Sequence, residues 1–158
     1  AYDRYRNDRT RYSIVLTQAI TEKLTYVIQH DNGQQQGAIQ KTDNTGFTYR
    51  RKAEWYGINQ YLFYQLTDNV KAGVRYEWFR DDDGYRVLGD DQGAHYHELS
   101  VGLNWKLADC VMLRPECRYD WAKKQGEQPY DLRDDGNGGR VSDDGSQFII
   151  STDLSISH

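Results

Sequence analysis

The sequence predicts an all-β fold, an antiparallel transmembrane β-barrel of which about seven strands are visible, and three observations predict it. Short turns carrying an acidic residue recur at Thr21-Glu22-Lys23, Thr67-Asp68-Asn69 and Ala108-Asp109-Cys110. Each is followed by a run in which every second residue is apolar, and each run leads into a long polar stretch rich in Gly and Asp. Aromatic residues gather near the ends of the runs: Trp78 and Trp121 toward the long stretches, and Trp105, Tyr61, Phe63 and Tyr64 toward the short turns. Tight turns at one end, long loops at the other and two aromatic girdles are the build of barrels that cross outer membranes with strands.

The predicted strands are 11–20, 24–31, 52–65, 70–80, 96–106, 111–121 and 147–157. The first two flank the turn at Thr21. In the third, two alternating sets compete, Tyr56, Ile58, Leu62 and Tyr64 against Trp55, Gly57, Tyr61 and Phe63. Both faces are then partly apolar, which suits a strand whose inner face packs against a loop folded into the lumen. The fourth is unambiguous, because side chains alternate across a strand: Val70, Ala72, Val74, Tyr76 and Trp78 share one face and Lys71, Gly73, Arg75, Glu77 and Phe79 the other.

The fifth strand sets Leu99, Val101, Leu103 and Trp105 against Glu98, Ser100, Gly102 and Asn104. The sixth sets Val111, Leu113, Pro115, Cys117, Tyr119 and Trp121 against Met112, Arg114, Glu116, Arg118 and Asp120. The seventh ends on the short-turn side. Long polar loops are expected at about 32–51, 81–95 and 122–147, so that residues 1–158 read as a single, partial barrel.

A soluble sandwich also alternates, but its core needs Leu, Ile, Val and Phe in quantity. This chain of 158 residues is 37% hydrophobic, with four Phe against thirteen Tyr. Its mean hydropathy of −0.93 excludes a transmembrane helix, which needs roughly 20 apolar residues in succession. A barrel tolerates such polarity because half of each strand faces away from lipid. The net charge of −4, without a basic run, argues against a nucleic-acid binder.

Cys110 and Cys117 lie on one predicted strand, about 23 Å apart at ~3.3 Å per residue, beyond disulfide reach. Their odd separation puts them on opposite faces, with Cys117 as a small lipid-facing residue. Bacterial barrels have an even strand number and both termini on the short-turn side, whereas this chain opens on the long-loop side with AYDRYRNDRT and shows no signal-peptide pattern. The expectation is the C-terminal portion of a larger barrel.

Two long stretches carry a family resemblance. WYGINQYLFYQLTDNVKAGVRYEWFRDDDG, residues 55–84, and HELSVGLNWKLADCVMLRPECRYDW, residues 97–121, resemble the OmpL-like β-barrel porin family of bacterial outer membranes. RYEWFRDDDG, LNWKLAD and LRPECRYDW carry most of the likeness. It implies an integral outer-membrane barrel with a porin role, in proteins generally longer than this chain. One departure is the ending Ser155-Ile156-Ser157-His158, where many outer-membrane barrels have a terminal aromatic residue. Either the true terminus lies a little beyond His158 or the assembly signal is unusual.

Arg75-Tyr76-Glu77-Trp78 and Arg118-Tyr119-Asp120-Trp121 repeat one logic: inward cation, outward aromatic, inward anion, outward Trp. Arg or Lys facing lipid at the midplane costs roughly 2–4 kcal/mol, so these charges are expected inside. The expected pore-lining residues are Arg75, Glu77, Glu98, Arg114, Glu116, Arg118 and Asp120, and the expected interface aromatics are Trp78, Trp105 and Trp121. Cross-strand pairing that braces the wall and a charged lining that sets ion preference are compatible roles.

The acidic pairs and triplet Asp81-Asp82-Asp83, Asp90-Asp91, Asp134-Asp135 and Asp143-Asp144 lack the spacing of a calcium loop and read as solvated loop residues. No metal ligand and no cofactor is expected. An enzyme is not expected either: His30, His95, His97 and His158 lie near no nucleophile motif, and His97 and Ser100 fall on opposite faces. The function predicted is an outer-membrane porin for passive diffusion of small hydrophilic solutes or ions. The rival is a non-conducting structural or adhesive barrel that binds a partner through its loops. Expected partners are membrane lipid, lipopolysaccharide and small hydrophilic solutes, with a homo-oligomer or larger envelope complex as a further possibility.

Overall fold

In the computed structural model the described residues are 8–87, 93–124, 133–134, 140–141 and 146–157. The elements are β1 (Arg9–Ala19), β2 (Leu24–Thr42), β3 (Thr48–Thr67), β4 (Val70–Asp81), β5 (Ala94–Ala108), β6 (Val111–Lys124), the two-residue β7 (Arg133–Asp134) and β8 (Arg140–Val141), and β9 (Ser146–Ile156). Seven strands form one antiparallel sheet in the order β1-β2-β3-β4-β5-β6-β9, while β7 and β8 pair only with each other. The meander follows from the chain: tight turns after β1, β3 and β5 leave neighbours no choice but to pair antiparallel. Thr21 Oγ1 accepts the Lys23 and Leu24 amides at 3.2 and 3.0 Å, and Thr67 Oγ1 accepts that of Asn69 at 3.3 Å. Those hydroxyls hold two of the turns.

The loop expected at 32–51 is corrected by the structure. β2 and β3 continue through most of it and meet at a short turn, Asp43–Phe47, in which Asp43 Oδ1 accepts the Thr45 and Phe47 amides and Gly46 takes φ +85°. GQQQGAIQKT lacks the apolar alternation by which a strand is recognised, yet its backbone pairs with residues 48–55 once the hairpin has closed. A register shift between Gln35 and Ile39 breaks the ladder. Loop character remains at 82–87. Most of 122–147 and the pairs Asp90-Asp91 and Asp143-Asp144, with Asp135, His158 and the opening AYDRYRN, lie outside the described residues.

The sheet has two unlike faces. The outer face carries successive cross-strand rows, among them Ile28, Gln60, Tyr76, Leu99, Tyr119 and Phe148, then Tyr26, Leu62, Val74, Val101, Cys117 and Ile150. No Asp, Glu, Lys or Arg occurs on that face between the row of Trp78, His97 and Trp121 and the row of Val70, Trp105, Leu113 and Leu154. The band covers nine residues of β4, from Trp78 to Val70, whose eight steps span about 27 Å at ~3.4 Å per residue. With a barrel strand's tilt of ~40° it stands about 20 Å high, near the ~25 Å of a membrane barrel's apolar belt. Its side chains are half-buried to exposed, Val101 being 52% and Ile150 75% exposed, and an apolar surface this continuous marks a face that meets lipid or protein.

Candidate functional site: the charged inner face

The seven charged residues predicted to share one side, Arg75, Glu77, Glu98, Arg114, Glu116, Arg118 and Asp120, all lie on the inner face, and the register sorts them by sign. One cross-strand row runs Gln29, Asn59, Glu77, Glu98, Asp120, Gln147. The next row toward the short turns runs Val27, Tyr61, Arg75, Ser100, Arg118, Ile149. Three carboxylates stand side by side, and like charges directly opposite each other repel. The arginines one step away offset that repulsion.

They do so by diagonal contacts to Glu98 and by one contact along β6 to Asp120. Arg75 Nε donates to Glu98 Oε1 at 2.6 Å, and its Nη2 bridges to the same carboxylate. Arg118 Nε lies 3.3 Å from Glu98 Oε2 and 2.7 Å from Asp120 Oδ1. Ser100, between the arginines, donates to Glu98 Oε1 at 2.9 Å, and Gln147 Nε2 donates to Asp120 Oδ2 at 2.7 Å. Glu98 and Asp120 are both buried, so each needs the charge-assisted bonds it receives. Further down, Arg114 grips Asp153 with two bonds, Nε to Oδ1 at 2.8 Å and Nη2 to Oδ2 at 2.7 Å. On the same face, toward the β1 edge of the sheet, Asp31 accepts from Gln29 and Asn59. Asp31, Ser100 and Asp153 were not singled out from sequence, although the parity of each strand points them inward.

The aromatic residues divide between the faces. Trp78 and Trp121 stand on the outer face at the long-loop end. Trp78 donates to His95 Nδ1 at 3.1 Å, and Trp121 stacks on His97 with ring centroids 5.1 Å apart and planes 6° apart. Trp105 stands on the outer face at the short-turn end, as does Tyr64. Tyr61 and Phe63, expected in that same girdle, are instead on the inner face, where they stack on each other at 6.0 Å and Lys71 Nζ sits 5.0 Å from the Phe63 ring centre. The competing sets in β3 hid this. The pairing of Tyr61 with Arg75 and of Phe63 with Gly73 decides it.

The inner face of β3 also meets a loop. Trp55 packs on Gly33, its register partner, at a place where any Cβ would collide with the indole. Over it lie the guanidinium groups of Arg9 and Arg86, 5.1 and 4.9 Å from the ring centre, and the ring of Tyr85. Arg86 and Tyr85 belong to the turn after β4, which folds back because the buried Asp81 carboxylate accepts the amides of Tyr85, Arg86 and Val87 at 3.1, 2.6 and 3.1 Å. The triplet Asp81-Asp82-Asp83 was expected to be solvated, but the three residues are structural here. Asp81 caps the turn, Asp82 pairs with Arg80, and Asp83 accepts the Glu54 amide at 2.9 Å and faces Arg51. Among the described residues no group of three His, Cys, Asp or Glu is placed to hold a metal ion.

With one face apolar and the other charged, the sheet has the wall structure of a membrane barrel, and comparison with known proteins agrees. A family model described as "Putative beta-barrel porin-2, OmpL-like" matches residues 2–157. The chain belongs to this porin family. A crystal structure of the NanC porin shares its fold, with a TM-score of 0.53 at 16% identity over 95% of this chain. The chain spans 64% of the length of that porin, so the open sheet of the OmpL-like chain is a partial barrel. No curated protein matches it.

Proposed function

We propose that the protein containing this chain is an integral outer-membrane channel through which small hydrophilic solutes and ions diffuse passively. Arg75, Glu77, Glu98, Arg114, Glu116, Arg118 and Asp120 would then line its lumen. Supporting this reading above all is the separation of faces: a charge-free apolar band on one side of the sheet and a paired, polar, charged lining on the other. A wall with water on one side and lipid on the other gives both faces a favourable solvent. Membership of a porin family supports the same reading and the outer membrane as its place. Diffusion through such a wall asks for no catalytic group. Lipid meets the outer band, and the long-loop end would face lipopolysaccharide.

The test is planar-bilayer recording of the full-length protein, with the reversal potential measured under a salt gradient. Discrete conductance steps with a defined ion preference are expected. Silence from a protein shown to be folded and inserted would replace the channel with the non-conducting structural or adhesive barrel, and its loops would become the functional surface.

A further inference from the structure

Below the arginine row the inner face opens into a depression of about 370 Å³. Its floor lacks Cβ atoms at Gly73 and Gly102, register partners on adjacent strands, and the Phe63 ring lies over Gly73. Beside it the β5–β6 ladder lapses opposite Arg114 and Pro115, which has no N–H to donate. The stacked rings of Tyr61 and Phe63 form one flank. Ser100, Asn104 and Glu116 supply hydrogen-bonding groups around the rest. A concave site with an apolar side and a few convergent polar groups is the usual form of a small-molecule site.

The charges around the depression narrow the ligand class. Arg75 is engaged by Glu98 and Arg114 by Asp153 through both of its bonds, so neither presents an uncommitted fork to a carboxylate or phosphate. Among the lining residues Arg75 and Arg114 are also balanced in number by Glu116 and Asp153, and the Lys71 ammonium beside them is engaged by the Phe63 ring. We propose that this depression is a subsite for a neutral sugar ring. The C–H surface of the ring would lie against the Tyr61–Phe63 stack beside Gly102, and its hydroxyls would bond to Asn104 and Glu116 and donate to Ser100, whose own proton goes to Glu98. This deepens the channel reading and rests on it, since it gives the lumen a preferred solute class.

The experiment titrates glucose and maltose against the ion current of the full-length channel, with galacturonate as an anionic comparator. Saturable interruption of current by the neutral sugars, stronger than by galacturonate, is expected. Asn104→Leu keeps the side-chain volume and removes its hydrogen bonds. It should raise the half-blocking concentration about threefold to tenfold, the worth of one neutral hydrogen bond. Tyr61→Ala, which removes the apolar flank, should weaken block as well and serves if Asn104→Leu does not fold. Steady conductance that no neutral sugar interrupts overturns the subsite and leaves the channel standing. Preferential block by galacturonate overturns the neutral class. Absence of conductance in inserted protein overturns the channel itself, and the subsite with it.

Discussion

Arg75 and Glu98 are not register partners. Arg75 lies opposite Ser100, and its guanidinium reaches one diagonal step across the sheet to Glu98, which it bonds at 2.6 Å. That diagonal links the acidic row to the basic row, and Glu98 also faces Arg118. Replacing the carboxylate by an amide of equal size, Glu98→Gln, leaves two arginines short of their shared anion. We expect a loss of about 1–3 kcal/mol in folding stability, the cost of buried charge-assisted bonds, read as a lower urea midpoint in detergent or lipid. An unchanged midpoint would mean that the pairing does not brace the wall.

The two arginines also bear on ion preference. In the double variant Arg75→Glu with Arg118→Glu, the inner face gains negative charge where two cations stood. A close unit charge in water is worth about 1 kcal/mol and acts with opposite sign on cations and anions, so the cation-to-anion permeability ratio should rise by at least about fivefold. Reversal potential under a salt gradient measures it. Conducting variants with the original ratio would remove both residues from the ion path.

The strands and their faces were legible because alternation is local, and each apolar set in β4, β5 and β6 can be traced along a single run. The extension of β2 was not, because Gln34 and Gln35 carry no apolar signal and only pairing with β1 and β3 makes them a strand. Inward placement of Arg75 and Arg118 could be read from parity. Their partners could not, since a diagonal contact depends on the register between strands, which no single strand encodes. The Asp81 cap was hidden for a similar reason: an acidic triplet looks solvated until the turn folds back and brings three amides to one carboxylate.

That cap yields a prediction about the loop. Asp81→Ala withdraws the acceptor of three amides and should destabilise the folded-back turn by about 1–3 kcal/mol. The amides of Tyr85, Arg86 and Val87 should then exchange with deuterium faster, while those in the centre of β4 keep their protection. Because Tyr85 and Arg86 lie on Trp55, the indole fluorescence should shift toward that of a more solvated ring. Unaltered exchange at the three amides would show that something other than Asp81 holds the turn.

Asp43 supplies a pH dependence at the tip of the β2–β3 hairpin. The Thr45 hydroxyl, and then the Phe47 and Thr45 amides, bond its carboxylate and hold its pKa below the ordinary 3.8. A depressed pKa in the folded turn means that the contribution is present above the unfolded value and is lost as pH falls through the folded value. Protection of the Thr45 and Phe47 amides, taken relative to their intrinsic exchange, should therefore hold at neutral pH and fall only below the ordinary aspartate range. Asp43→Asn keeps an acceptor oxygen and should flatten that profile, whereas Asp43→Ala should speed exchange at every pH.

The two cysteines test which face meets lipid. Cys110 lies at the short turn after β5, and Cys117 lies on the outer face in the row of Val101 and Ile150. Both are exposed in the isolated chain, so a water-filled surround would leave them similarly open to reagents. In membrane-inserted protein the apolar band places Cys117 within the hydrocarbon, where thiolate formation and polar reagents are both disfavoured. A charged, water-soluble maleimide should then label Cys110 and spare Cys117, and a lipid-soluble maleimide should narrow the difference. Cys110→Ser and Cys117→Ser variants assign the two signals. Equal labelling of both thiols by the charged reagent, in protein shown to be inserted, would contradict a lipid-facing outer band and with it the direction in which every inner-face charge has been placed.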